Sequence, residues 1–386
     1  MVDYSLVVFM QERLRHTPTS FKRYIYDRIN WSGRLIGLTG PRGVGKSTMM
    51  LQYMLQQPSR KDMLYVTADH MWFATHTLVE LADEFVKEGG RWLCIDEVHR
   101  YSGWSRELKQ IYDGHPDINI VFTGSSVLDI NRGEADLSRR ATMYHMQGLS
   151  FREYLKLFHG IDAPQLSLDK ILYGDIQLPE SLSHPLPYFR KYLAEGYYPF
   201  ALEGDLSRKI QQIVSLTVES DIPLFADMKA TTARKLKQML AIVARSAPYK
   251  PSAEHLSQEI QVSKNNVGEY LLWLEKSGMI GQLRDDTMGM RGLGKVEKVY
   301  IDNPTLMSIL AGDKPEIGNL RETFFYNQMR VDYDLTSSKV SDFCIDSKTF
   351  EIGGKNKGQK QIRNVDDGFI VKDDIEYRHA NVIPLF

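Results

Sequence analysis

The sequence predicts an α/β fold in which a parallel sheet forms the amino-terminal part of the chain. Four short apolar runs are typical of buried strands, and they lie at residues 35–38, 63–68, 92–95 and 119–123. An amphipathic helical pattern that ends in two glycines, residues 77–90, separates the second run from the third. Strands that alternate with helices along a chain are typical of a parallel sheet with helices on both faces.

The composition excludes several classes of protein. Apolar residues make up 42% and charged residues 25% of the chain, as in ordinary folded proteins. The formal net charge of −1 gives no general attraction to DNA or to an anionic membrane. The two cysteines are far apart and lack metal-ligand spacing, which favours a reducing compartment. No apolar run approaches the roughly 20 residues that cross a bilayer, so we expect a cytoplasmic protein with no membrane partner.

A phosphate-binding motif follows the first predicted strand. Residues 40–47 read GPRGVGKS and match G-x-x-x-x-G-K-[ST] without a mismatch, and good helix formers follow from Met49. The glycines allow successive backbone N–H groups to cradle phosphate oxygens. We expect Lys46 to reach the β- and γ-phosphates and the Ser47 hydroxyl to hold Mg²⁺. The predicted nucleotide-binding residues are Gly40, Pro41, Arg42, Gly43, Val44, Gly45, Lys46, Ser47 and Thr48.

Two acidic residues, Asp96 and Glu97, follow the third predicted strand. In open α/β sheets ligands bind at the carboxyl ends of the strands, where these two acids would lie. We expect Asp96 to hold the Mg²⁺ shell and Glu97 to act as general base on an attacking water. The alternative is a helix amino terminus that acidic residues stabilise. No Asn-Lys-x-Asp guanine motif occurs in the chain, which favours ATP over GTP.

Polar residues at the end of the fourth strand and just after it are candidates for contact with the γ-phosphate. Thr123, Ser125 and Ser126 all qualify, and Ser125 is preferred; the alternative is a serine-rich turn that caps the next helix. Arg140 precedes a further predicted strand, residues 142–147. An arginine there could contact the γ-phosphate as a catalytic finger, from the same or a neighbouring subunit, or lie in a solvated basic turn.

The resemblance to a known family rests on five segments: GPRGVGKST, WLCIDEVHR, VFTGSS, LSRRAT and GLSFREYL. Together they resemble the AAA-type ATPases of bacteria and archaea that carry a C-terminal domain of unknown function. The resemblance covers most of the chain and is strongest to about residue 155. It implies an AAA-like P-loop fold, ATP hydrolysis and Arg140 as the family's arginine, but not the task that hydrolysis serves.

The C-terminal half contains two further patterns. Residues 252–280 predict two helices joined by a short turn, which is typical of a helix-turn-helix or winged-helix module. Asp342, Glu351 and Lys355 resemble the carboxylate and lysine set of restriction-nuclease-like metal sites. The spacing expected there is Glu-x-Lys, and Gly353 occupies the lysine position. The sequence therefore predicts a nuclease-like fold whose site is incomplete.

A chain of 386 residues is long enough for several domains. We predict an ATPase domain at 1–155, a helical region at 156–250, a winged-helix-like module at 251–302 and a small α/β, nuclease-like domain at 303–386. The expected function is Mg²⁺-dependent ATP hydrolysis that drives a conformational change in a half that binds DNA or a protein client. The alternatives are a nucleotide-gated binding module with negligible turnover and an ATP-powered nuclease. Assembly into a homo-oligomer stays open.

Overall fold

The computed structural model describes residues 1–124, 137, 139–223, 230–248, 250, 252–286, 295–312, 316–358 and 360–386. The chain divides into two compact units, Met1–Gly148 and Leu149–Phe386. The finer division into four domains stays a prediction. Among the described residues, no helix combines the length and the apolar character that crossing a bilayer requires.

The amino-terminal unit is built on a five-stranded parallel sheet, as the sequence predicts. Its strands in chain order are β1 Leu35–Thr39, β2 Met63–Thr67, β3 Trp92–Asp96, β4 Asn119–Thr123 and β5 Thr142–His145. Their order across the sheet is β2-β3-β4-β1-β5, and each pair of neighbours is parallel. The last strand ends two residues earlier than predicted. This order puts β4 between β1 and β3, so the carboxyl ends of all three strands lie side by side.

Four α-helices of this unit are α1 Tyr4–Arg15, α2 Lys46–Gln56, α3 Leu78–Lys87 and α4 Trp104–Gly114. The residues just before two of these helices determine where the helices begin. α3 begins with a capping box, in which the Thr77 hydroxyl accepts from the N–H of Glu80 at 3.1 Å and the Glu80 carboxylate accepts from the N–H of Thr77 at 2.8 Å. α2 instead begins directly after Gly45, which has a φ of 100°.

The C-terminal unit is mostly helical over its first two thirds. Its α-helices are α5 Phe151–His159, α6 Leu168–Tyr173, α7 Leu186–Glu195, α8 Leu206–Leu216, α9 Ala230–Ser246, α10 Ala253–Glu259, α11 Lys264–Lys276, α12 Pro304–Leu310 and α13 Ile317–Met329. The predicted pair of helices within 252–280 is present as α10 and α11, and Ser252 and Ser263 cap them. An antiparallel hairpin of β6 Ile280–Arg284 and β7 Val296–Ile301 follows. Whether these elements work as a winged helix stays a prediction.

A second five-stranded sheet completes the C-terminal unit. It consists of β8 Leu335–Ser337, β9 Phe343–Ile345, β10 Lys348–Gly353, β11 Gly368–Lys372 and β12 Val382–Pro384, in the order β12-β11-β10-β9-β8. The sheet is mixed, because β8, β9 and β10 are antiparallel whereas β10, β11 and β12 are parallel. Aromatic side chains from α5, α7 and α13 pack into one core with residues of this sheet; examples are Phe151, Phe189, Phe324, Phe350 and Phe369.

Candidate nucleotide-binding site

The loop between β1 and α2 has the backbone that a phosphate cradle requires. Gly40, Gly43 and Gly45 have φ values of 138°, 79° and 100°, and residues other than glycine rarely adopt positive values of this backbone angle. A Cβ on Gly40 would also collide with the carbonyl oxygen of Met146. The Met146 N–H donates to Thr39 at 2.8 Å, so the chain after β5 lies tightly against the start of the loop.

Lys46, the first residue of α2, is only 6% exposed. Its Nζ donates to the carbonyl oxygens of Gly40 at 2.8 Å and Pro41 at 2.7 Å. Burial lowers the pKa of Lys46 to about 8, and the nearby carboxylates of Glu97 and Asp96 oppose this shift. The ammonium group is therefore held inside the loop, where it can point at phosphate. Ser47 and Thr48 follow it, half-buried, in the first turn of α2.

Arg23 supports the loop from outside, and sequence reasoning did not find it. Its guanidinium is buried and donates to the carbonyl oxygen of Val44 at 2.6 Å. It also donates to Gln147 and Gly148, each at 2.8 Å. One side chain thus ties the phosphate loop to the segment after β5. No motif surrounds Arg23, so only the three-dimensional contacts reveal this role.

Asp96, the last residue of β3, is held by the strands on both sides of it. Its carboxylate accepts from the Tyr65 hydroxyl of β2 at 2.8 Å and from the Thr123 hydroxyl of β4. The Thr123 oxygen in turn accepts from the backbone N–H of Glu97 at 3.0 Å. Asp96 is only 4% exposed, so these hydrogen bonds orient its carboxylate within the sheet edge. The sequence analysis included Thr123 among three candidates and did not find Tyr65.

Glu97 has a left-handed backbone conformation, with a φ of 55°, that is uncommon for a glutamate. Its Oε2 lies 3.6 Å from Nη1 of Arg42, 3.5 Å from Nε2 of His99 and 3.9 Å from Nε of Arg100. Burial raises the pKa of Glu97, and the charge of Arg42 opposes the shift. Burial also lowers the pKa of His99 to about 3, so this imidazole is neutral near pH 7. Both arginines are therefore charged neighbours of Glu97, and the charges of Asp96 and Lys46 also act on it.

Arg140 lies away from this cluster. Its Nε and Nη2 donate to the two carboxylate oxygens of Asp113 at 2.9 and 3.1 Å. Thr142 pairs with Ile36 in the parallel β5–β1 ladder, so Arg140 precedes the amino end of β5. That position is about six residues, roughly 20 Å along a strand, from the level of Gly40. The structure therefore does not bring Arg140 to the phosphate loop of its own chain. Ser125, Ser126 and Ser138 lie outside the described residues.

In the C-terminal unit, Lys298 of β7 stands between two carboxylates. Its Nζ donates to Glu322 of α13 at 2.9 Å and to Asp342, just before β9, at 3.1 Å. The Tyr300 hydroxyl also donates to Glu322, at 3.0 Å. Burial raises the pKa of Glu322, followed by the charge of Asp342, while Lys298 lowers it. The ammonium group of Lys298 thus offsets the negative charge of these two carboxylates.

Glu351 of β10 is almost fully buried, and its partner is not the predicted lysine. It accepts from the Ser341 hydroxyl and forms an ion pair with Lys357, whereas Lys355 is exposed. A Cβ on Gly353 would collide with the side chain of Lys357, which lies over that glycine. Lys357, from the loop after β10, thus lies over Gly353, the position at which the nuclease motif would have its lysine. The described residues contain no group of three His, Cys, Asp or Glu side chains arranged for a metal ion.

Two family models match this chain, one over the phosphate loop and one over part of the C-terminal unit. Residues 32–155 match the AAA domain family. This part of the chain is an AAA-type P-loop domain. Residues 186–316 of the C-terminal unit match a domain of unknown function, DUF8612. No curated protein matches the sequence.

Several solved structures of ATPases and related proteins are similar to this chain. A Walker-type ATPase of Pyrococcus abyssi is 14% identical, with a TM-score of 0.44, over 77% of this chain and 99% of that one. AMPPCP-bound DnaA from Aquifex aeolicus is 13% identical, with a TM-score of 0.25, over 72% and 90%. The S. cerevisiae Hsp104–ADP complex is 14% identical, with a TM-score of 0.30, over 70% and 40%. All three structures are only distantly similar to this chain.

Proposed function

We propose that the AAA-type domain hydrolyses Mg²⁺·ATP and that hydrolysis drives a conformational change in the C-terminal half, which binds DNA or a protein client. One observation carries the proposal: the buried Lys46 begins α2 after the loop that follows β1, and the acids Asp96 and Glu97 lie at the carboxyl end of β3, with only β4 between these two parallel strands. A lysine for the phosphates, an acid for the metal and a base for water are the parts that phosphoryl transfer to water requires.

The residues fit a magnesium nucleotide. The glycines with positive φ let the backbone curl into a concave loop at the amino end of α2. Backbone N–H groups at the amino end of a helix favour bound anions. Ser47 and Asp96 would hold Mg²⁺, which when bound neutralises charge on the phosphates. Lys46 would give up its contacts with two loop carbonyls to donate to phosphate oxygens. Tyr65 and Thr123 keep the carboxylate of Asp96 oriented.

Glu97 would orient and deprotonate the attacking water. Its backbone N–H is anchored to Thr123, which connects the position of the base to that of Asp96. Burial raises the pKa of Glu97, which makes its carboxylate a stronger proton acceptor. Little covalent chemistry falls to the protein, so placement of water and stabilisation of charge supply most of the rate. Ser125, two residues after Thr123 in the sequence, remains a proposed γ-phosphate contact.

A phosphate-release assay tests turnover directly. We expect release of phosphate from Mg²⁺·ATP that stops when Mg²⁺ is chelated, measured with and without added DNA. Binding of ATP with no release under either condition would favour the alternative, a nucleotide-gated binding module. Stimulation by DNA would favour a nucleic-acid client over a protein client.

We propose that Arg140 acts on the nucleotide of a neighbouring subunit. The phosphate loop of its own chain lies at the carboxyl ends of the strands, whereas Arg140 precedes the amino end of β5. This role requires a homo-oligomer. The bidentate pair with Asp113 keeps the guanidinium at a half-exposed position, with 28% of its side chain accessible. The sheet geometry supports action in trans over action in cis.

Replacing Arg140 with alanine is expected to lower turnover by about a thousandfold, the lower end for an arginine finger. Mixing Arg140→Ala subunits with Lys46→Ala subunits should restore part of the activity, because some interfaces then combine an intact loop with an intact arginine. The control is Arg139→Ala, the exposed neighbour. Turnover that does not recover in any mixture of assembled subunits would contradict action in trans.

Tyr65→Phe removes a single hydroxyl that donates to Asp96. We expect the Mg²⁺ concentration for half-maximal turnover to rise roughly tenfold, the worth of one hydrogen bond to a charged group, while the rate at saturating Mg²⁺ falls less. Tyr53→Phe is a matched control, since Tyr53 is buried in α2 and stacks on Trp31 at 4.3 Å. Equal Mg²⁺ dependence in both variants would show that Tyr65 does not position Asp96.

The nuclease alternative has less support. Lys298 and Lys357 already pair with the three carboxylates that a metal would need. We therefore expect plasmid DNA to remain intact with the protein, ATP and either Mg²⁺ or Mn²⁺. Cleavage that disappears in the Asp342→Ala variant would contradict this expectation.

A further inference from the structure

Arg42 belongs to the phosphate loop and contacts Glu97, which lies outside that loop. It lies two residues after Gly40 and four before Lys46, and 15% of its side chain is exposed. Its Nη1 is 3.6 Å from Oε2 of Glu97, the proposed base. The loop that would hold the triphosphate is thus connected by a charge pair to the residue that would activate water.

The neighbours of Arg42 locate its guanidinium. Beside the contact with Glu97, its charge acts on Lys46 and His99, whose pKa values it lowers in addition to the larger effect of burial. Lys46 is the group that reaches the β- and γ-phosphates in this motif. Arg42 belongs to the loop that would hold the phosphates and also contacts the proposed base, so its guanidinium is expected to lie near the end of the triphosphate chain.

Phosphate is the stronger partner for this side chain. A terminal phosphate offers three oxygens with more charge than a carboxylate, and the planar guanidinium fork binds such oxygens in a bidentate manner. Arg140 is at the opposite edge of the sheet. Arg42 is thus well placed to meet a γ-phosphate within the same chain.

We propose that Arg42 holds Glu97 in the nucleotide-free protein and transfers to the γ-phosphate when ATP binds, which frees Glu97 to take the attacking water. The inference rests on the proposed ATP hydrolysis and assigns Arg42 as the residue that distinguishes ATP from ADP. Because ADP lacks the γ-phosphate, it leaves the Arg42–Glu97 pair in place. The base is then freed only when there is a bond to hydrolyse.

Calorimetry with Mg²⁺ and either AMPPNP or ADP tests the discrimination. In Arg42→Ala the affinity for AMPPNP is expected to fall about ten- to a hundredfold, the range for a charge-assisted hydrogen bond, while that for ADP changes little. Arg42→Lys should keep part of the preference. Arg100→Ala is the matched control, because Arg100 also lies near Glu97, at 3.9 Å, but outside the phosphate loop. It should keep the ratio of the two affinities.

A double-mutant cycle tests the exchange itself. Glu97→Gln removes the competing carboxylate and is expected to strengthen AMPPNP binding, and this gain should be clearly smaller when Arg42 is alanine. An equal gain in both backgrounds, or an equal loss of ADP and AMPPNP affinity in Arg42→Ala, would overturn the inference. Failure of the unaltered protein to bind either nucleotide would instead overturn the proposed function.

Discussion

Lys46→Ala is expected to weaken ATP binding strongly and to remove ATP hydrolysis. Lys46 is buried at the start of α2 and is held by the carbonyl oxygens of Gly40 and Pro41. Removing its ammonium group deletes the positive charge meant for the β- and γ-phosphates, and leaves a loop whose carbonyls would face anionic oxygens. Loss of a charge-assisted contact of this kind costs about 1.5–3 kcal/mol, or roughly ten- to a hundredfold in affinity, and more in turnover.

Calorimetry and phosphate release would measure the two effects separately. Lys61→Ala provides the control, since Lys61 is an exposed lysine in the loop before β2. The melting temperature of the nucleotide-free variant should be compared with that of the unaltered protein, to separate loss of binding from loss of fold. A correctly folded Lys46→Ala protein that hydrolyses ATP normally would refute the assignment of the phosphate loop.

Glu97→Gln is expected to bind ATP but to hydrolyse it about a thousandfold more slowly, within the range for loss of a general base. The amide keeps the size of the side chain and cannot accept the proton of the attacking water. Asp96, Tyr65 and Thr123 are unchanged, so the metal shell should persist.

Single-turnover hydrolysis, with nucleotide binding measured in parallel, would check this result. Glu84→Gln on α3 is a suitable control, because Glu84 has 40% of its side chain exposed. Turnover at the unaltered rate in Glu97→Gln would show that another group activates water.

The phosphate loop and the two strands that lead into the site could be predicted from short stretches of sequence. The turn of the phosphate loop needs glycine at particular positions, and Gly40, Gly43 and Gly45 have the expected positive φ values. The apolar runs before Gly40 and Asp96 are buried strands because nothing polar interrupts them. Both features can be deduced from a few adjacent residues.

The contacts that orient the site could not be predicted in this way. Arg23 reaches the loop over 21 residues, and Tyr65 reaches Asp96 over 31. Such partners depend on how strands and loops come together, which a single sequence does not show. The location of Arg140 likewise follows from the parallel pairing of β5 with β1, not from its spacing.

The C-terminal cluster illustrates the same limit. The spacing in the sequence suggested Lys355 as the partner of Glu351, yet Lys357 takes that place because its side chain lies over Gly353. Lys298 pairs with Glu322, 24 residues further along the chain, and with Asp342, 44 residues further along. Charge balance there results from the tertiary fold.

The central claim is that the AAA-type domain binds Mg²⁺·ATP through the phosphate loop and the two acids of β3. Titration calorimetry of the unaltered protein with AMPPNP and Mg²⁺ tests it most directly. We expect a saturable heat of binding with one site per chain, and an affinity at least about tenfold lower in Lys46→Ala. No heat of binding from the folded, unaltered protein at millimolar nucleotide would contradict it.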